Sequence, residues 1–228
     1  MEFTREVVVN LAYGMPIFIF SLSIHEAAHA ITAKWGGDLT AAYQGRVTLN
    51  PLSHIDPIGT LVMPIIGAFS SFGVLGWARP VPVVSTNFRR GSSYDVVVSL
   101  AGPFSNLLIA FFATVIYQGF LMGYVASGAA YNIDIIDELF QRLIRINILL
   151  MVFNLLPLPP LDGSHVAWHW FIKHRPWLRD IYASITPYGF LILLVMINTR
   201  ALSIWLAPVW PLFKLCVDWA FAPLSHLY

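Results

Sequence analysis

The residues best suited to chemistry stand together at His25-Glu26-Ala27-Ala28-His29. Residues four apart share one helical face about a turn apart. The two imidazoles can therefore grip one tetrahedral metal ion while Glu26 projects beside them toward a water molecule. This is the HExxH spacing of zinc hydrolases. A single cysteine, Cys216, excludes a cysteine-built zinc or iron–sulfur cluster, so any metal must sit on His and carboxylate. The plainer alternative is that the two histidines and the acid only satisfy one another between helices.

A two-histidine site needs a third protein ligand and an open position. Six residues beyond His29, where one class of zinc protease carries another His, stands Trp35. His54 and Asp56 are near, but they sit in Asn50-Pro51-Leu52-Ser53-His54-Ile55-Asp56-Pro57, which reads as a turn with a cap for the next segment. Asp162 is the stronger candidate. Pro157, Pro159 and Pro160 break a helix just before it, which can turn its carboxylate inward, although an ordinary N-cap is the competing reading. His165 and His169 form a second i, i+4 pair, but Val166 occupies the place of a base. His165 fits better as a partner of the first site than as part of a second metal site.

These residues must be positioned by an unusual chain. Of its 228 residues 57% are hydrophobic and only 11% charged, against roughly 25% charged in an average globular protein. Mean hydropathy is +0.70. The apolar residues come in blocks of bilayer length, about 7–33, 58–77, 96–125, 139–161, 181–197 and 202–221. The chain reads as an integral membrane protein, and a soluble enzyme is excluded. A net charge of +1 and no Lys/Arg-rich arm leave nucleic-acid binding unsupported. Met-Glu-Phe-Thr-Arg-Glu before the first run is not the basic start of a signal peptide, so that run is expected to be retained.

Two intervening stretches differ. Residues 42–49 alternate small or polar with larger apolar side chains and predict a short β-strand or hairpin. It could capture an extended substrate by strand addition. Residues 58–77 are interrupted by Pro64, Gly67, Ser70, Ser71, Gly73 and Gly76, which suits a re-entrant segment as well as a span. Charge arbitrates. With a re-entrant segment, Lys34, Arg46, Arg79, Arg89, Arg90, Lys173, Arg175 and Arg179 share one side against Arg5 and Arg200. A full span distributes the same residues more evenly, so the positive-inside rule favours re-entry and an external N-terminus. His29 then lies about 6–8 Å along the helix from Lys34, near the cytoplasmic face.

The HEAAH helix, Ala101-Gly102-Pro103-Phe104-Ser105-Asn106 and the string from Asn154 to Gly163 occur in the order found in the site-2 protease family, which the chain resembles. The family comprises intramembrane zinc metallopeptidases. Residues 50–60 and Gly76-Trp77-Ala78-Arg79-Pro80-Val81-Pro82-Val83 resemble its compact subgroup without PDZ or nucleotide-sensing domains. The resemblance implies His25, His29 and Asp162 as ligands of one Zn2+ per chain, Glu26 as catalytic acid/base, and Asn154 as a residue holding substrate or oxyanion. Ser164 stands where a second Gly is common.

The expected fold is an all-α polytopic membrane protein with a three-helix catalytic core. It forms one membrane-embedded peptidase domain over 1–228, with core helices at about 7–33, 96–125 and 139–170, a strand and re-entrant region at 36–77, and peripheral helices at about 181–221. The expected activity is hydrolysis of membrane-spanning protein substrates near the cytoplasmic face of the cell (plasma) membrane. The rival is an ion or proton transporter or channel using the same His25, Glu26, His29 and Asp162, which predicts flux without proteolysis.

Overall fold

A computed structural model describes residues 5–69, 76–128, 133–197 and 199–222. It is mostly helical. Four helical stretches are long and apolar enough to cross a membrane: Val7–Gly36, Ser92–Ala126, Pro176–Met196 and Arg200–Phe221.

Helix α1, Arg5–Gly36, carries the HEAAH sequence. Ala27, Ala30 and Ala33 are almost fully buried along it, and their small size lets the helix Asp95–Ala126 approach closely. The helix ends in a Schellman arrangement. Gly37 adopts φ +106°, Gly37 N–H donates to Lys34 O, and Asp38 N–H donates to Ala33 O.

The expected strand at 42–49 is not formed, and no strand occurs among the described residues. Thr40–Tyr43 is instead a single helical turn, α2. The physical reason is local. Asp38 accepts from Thr40 N–H and Thr40 Oγ1–H, which starts the turn, and Gly45 at φ +67° bends the chain away before any strand can pair. Alternation alone does not make a strand without a neighbouring edge.

Asp56 then caps α3, Pro57–Phe69, accepting from Ile58 and Gly59 N–H. The first part of α3 is π-helical, Pro57–Val62, and the rest is regular, Met63–Phe69. The six residues after it lie outside the description. The chain reappears beside its own starting point. Trp77 N–H donates to Gly59 O at 3.1 Å, and Thr60 Oγ1–H donates to Trp77 O at 2.8 Å. Residues 76–84 carry no regular secondary structure.

Helix α4, Asp95–Ala126, buries Ser99, Gly102, Asn106, Ala110, Ala113, Tyr117 and Leu121, a stripe at steps of three and four. The first part of that stripe, Ser99, Gly102 and Asn106, is small or polar and faces the HEAAH helix. Its second half joins Ile144, Ile148 and Val152 of α5, Asp134–Asn154, and Phe213 of the last helix in one apolar core. Glu138 pairs with Arg142, whose guanidinium also donates to Asn10, and Asp137 accepts from Tyr117. These charges make α5 less apolar than the four spans, although it packs against both α1 and α4.

The core helix expected over 139–170 is two helices. Pro157, Pro159 and Pro160 cannot continue α5, and the chain makes turns in which Leu156, Leu158 and Leu161 pack on Leu193. Helix α6 restarts at Asp162–Ala167 and runs on as a π-helical turn, Trp168–Ile172. The peripheral region holds α7 (Pro176–Ile185), α8 (Gly189–Ile197), α9 (Arg200–Trp205) and α10 (Val209–Phe221).

Candidate metal centre

Helices α1 and α6 bring His25, His29 and Asp162 to one point. His25 Nε2 lies 3.2 Å from Asp162 Oδ2, His29 Nε2 lies 3.3 Å from Asp162 Oδ1, and the two Nε2 atoms are 3.1 Å apart. The rings stand nearly perpendicular, at 83°. Asp162 occupies the first turn of α6, where the helix dipole favours a negative charge.

The surrounding hydrogen bonds decide what those atoms offer. Val98 O can only accept, so His29 Nδ1 carries the proton of their 2.7 Å bond. Leu143 O likewise makes Asn147 Nδ2 a donor, at 2.8 Å. Asn147 Oδ1 therefore accepts from Asn106 Nδ2 at 2.8 Å, and Asn106 Oδ1 accepts from His25 Nδ1–H at 2.6 Å. With Nδ1 the donor in each ring, the neutral form of either histidine turns a bare Nε2 lone pair toward a carboxylate whose Oδ2 is buried and accepts no hydrogen bond. Acceptors this close need a proton or a metal cation among them, and a set of two imidazoles and a carboxylate is one that suits Zn2+. Gly102 supplies the space, since a Cβ there would sit 2.6 Å from His25 Nε2 and closer still to His29 Nε2.

The centre lines a cavity of about 440 Å³. Glu26 opens onto it from α1, its Oε2 accepting from Val81 N–H at 3.0 Å. Asn154 lines the same cavity near the end of α5, with Nδ2 donating to Leu150 O. His54 and Asp56 are not brought in. His54 is buried with Nε2 against Thr48 O, and Asp56 is the cap its turn sequence suggests.

His165 is not brought into the metal cluster. Its Nδ1 is 2.8 Å from Asp95 Oδ2, in the first turn of α4. That hydrogen bond raises the His165 pKa from its ordinary value, outweighing burial, which lowers it. His169 Nε2 approaches the same carboxylate oxygen at 3.6 Å, while Lys173 Nζ lies 3.3 Å from His169 Nδ1.

Sequence reasoning did not assign roles to Asn106, Asn147, Gly102 or Asp95. Asn147 carried a signal, being an uncharged polar residue inside an apolar run. Asp95 carried none, because 70 residues separate it from His165.

The chain's matches to known proteins agree with this chemistry. Residues 85–196 match the model of peptidase family M50, a region that includes Asp162 but not the HEAAH helix. The protein named "Putative zinc metalloprotease YwhC" of Bacillus subtilis is 38% identical over 192 residues, 83% of this chain and 81% of that protein. Two proteins named "Putative zinc metalloprotease Rip2" are each 30% identical. The one from Mycolicibacterium smegmatis aligns over 82% of this chain and 67% of its own length, and the one from Mycobacterium tuberculosis over 88% and 74%. No solved structure matches the chain. The chain belongs to peptidase family M50, the site-2 proteases, and is a membrane metallopeptidase of that family.

Proposed function

We propose that His25, His29 and Asp162 hold one zinc ion per chain and that Glu26 is the catalytic acid/base of peptide-bond hydrolysis inside the membrane. The observation carrying this reading is the convergence of two Nε2 lone pairs and an unsatisfied carboxylate within 3.1–3.3 Å of one another. Zinc bound there would lower the pKa of water toward about 7 and polarise a carbonyl oxygen. Glu26 takes the proton from the attacking water and returns it to the leaving amine. Val81 N–H holds one carboxylate oxygen of Glu26 and leaves the other for the water. Asn154 contributes its remaining amide groups to the substrate.

The substrate is a membrane-spanning protein, which must unwind because a helix has no free backbone to present. The irregular stretch 76–84, whose Trp77, Ala78 and Val81 line the cavity, offers backbone to the unwound substrate in place of 42–49. The single domain is built on a three-helix core of α1, α4 and the α5–α6 pair. Residues 58–77, of which 70–75 lie outside the described residues, are read as a re-entrant segment, and the contact between Gly59 and Trp77 supports entry and exit by one face. The charge distribution supports a cytoplasmic position for that face and for cleavage, in the plasma membrane. Family membership argues against transport as the function.

The test is cleavage by purified protein of a fluorescently labelled peptide carrying one apolar helix, alongside zinc analysis. Wild type should hold about one zinc per chain, and Glu26→Gln should keep the zinc while losing about 10²–10⁴-fold in turnover. Near-normal turnover by Glu26→Gln, or full zinc in a His25→Ala/His29→Ala double variant, would overturn the assignment.

A further inference from the structure

One titratable pair beside the centre has no part in holding a metal. His165 lines the same cavity as Glu26, His25, His29 and Asp162, and its side chain is 52% exposed, whereas Asp95 behind it is only 13% exposed. Asp95 Oδ2 takes the Nδ1 edge of the ring at 2.8 Å. Nε2, on the opposite edge, is the polar atom left for the cavity. A carboxylate at that distance favours the imidazolium, in which Nε2 is a donor.

We propose that His165, oriented by Asp95, is a further catalytic residue whose Nε2–H donates to the scissile carbonyl oxygen and to the oxyanion it becomes. This rests on the reading of the neighbouring cluster as the peptidase centre. As the water oxygen bonds to the carbonyl carbon, a proton passes to Glu26 and the carbonyl π pair moves onto its oxygen. Collapse restores the C=O bond and breaks C–N, and the proton on Glu26 goes to the departing nitrogen. The products are a carboxylic acid and an amine. His165 keeps its proton throughout and acts only as a donor, in the way preorganised donors stabilise charge that develops in a transition state. Asp95 is a positioning residue.

The groups facing His165 set the pH range. Asp95 and Asp162 favour its charged form, and His29 disfavours it when protonated. Lys173 and Asp95 act on the adjoining His169, and Glu26 shares the cavity.

Wild type, Glu26→Gln, His165→Ala, His165→Gln and Asp95→Asn should be compared on the labelled single-helix peptide, measuring kcat, KM and zinc content across pH 6 to 9. His165→Ala should lose about 10²–10³-fold in kcat with KM and zinc nearly unchanged. His165→Gln, which restores a neutral donor, should recover part of that loss. Asp95→Asn should move the alkaline limb of the kcat profile to lower pH, a shift a packing role would not produce. Wild-type kcat in His165→Ala, a folded His165→Gln no more active than His165→Ala, or loss of zinc from either, would overturn the proposal. An unmoved alkaline limb in Asp95→Asn would do the same. Failure of wild type itself to cleave, or cleavage by Glu26→Gln, would instead count against the reading of the centre.

Discussion

At the residue scale, the centre depends on atoms that are absent as much as on those present. His25 and His29 can meet Asp162 only because position 102 on the facing helix has no Cβ. Gly102→Ala should therefore weaken zinc binding by at least about 10-fold, the size of effect seen when support around a metal site is lost. Gly119→Ala, in the same helix but with nothing within 4 Å, is the matched control and should be neutral or slightly stabilising. Zinc retention through graded chelator dialysis distinguishes the two; equal retention would mean that the close approach at Gly102 does not limit the site. The same scale explains why HExxH spacing was legible and tautomers were not. The i, i+4 geometry is intrinsic to any helix. Which ring nitrogen carries a proton was settled by Val98 O and, through Asn147 and Asn106, by Leu143 O.

At the element scale, the loop after α1 is tied to the irregular stretch near the cavity by one buried carboxylate. Asp38 accepts from Thr40 N–H and Oγ1–H, from Val84 N–H at 2.7 Å and from Asn87 Nδ2 at 2.9 Å. Burial pushes the Asp38 carboxyl up, but the hydrogen bonds from Asn87, Thr40 and Val84 prevail and hold it below the ordinary carboxylate value. A depressed folded-state pKa contributes stability above the unfolded value of about 3.9 that is lost as pH falls through the folded value. Asp38→Asn should thus be less stable than wild type at neutral pH, and the gap should narrow as pH falls below about 4. Thermal unfolding from pH 7 to pH 3 checks this, and a gap that widens on acidification would contradict it. Local bonding of this kind is also why the alternation at 42–49 misled. Side-chain to backbone bonds from Asp38 compete with strand formation, and the stretch has no partner edge.

At the scale of the whole molecule, the question is how the helices sit in the bilayer. The proposed re-entrant topology, which the contact between Gly59 and Trp77 and the Lys/Arg distribution support, would place Gln44 and Thr86 on one side and Ser127, beyond α4, on the other. Cys216→Ser removes the native thiol and gives a background for single cysteines at these three exposed positions. An impermeant thiol reagent applied to intact cells should label the Ser127 position alone. External labelling at Thr86 with protection at Gln44 would show that the segment beginning at Pro57 crosses the membrane.

By itself the sequence determined the membrane class, the helical architecture, the HExxH pair and the acid after the proline string, because each rests on composition or on spacing along one helix. It also marked the break before Asp162, since proline forbids a continuous helix whatever surrounds it. Tertiary structure alone decided the rest. Asn106, Asn147 and Ser21 act as a chain across three helices, with Asn147 Nδ2 2.9 Å from Ser21 Oγ. Asp95 meets His165, and Val81 N–H meets Glu26, across 70 and 55 residues of chain. Such pairs follow no period. They exist only once small residues on α1 and α4 have let the helices close together, so the groups whose partners decide the chemistry could be named from the sequence while the partners themselves could not.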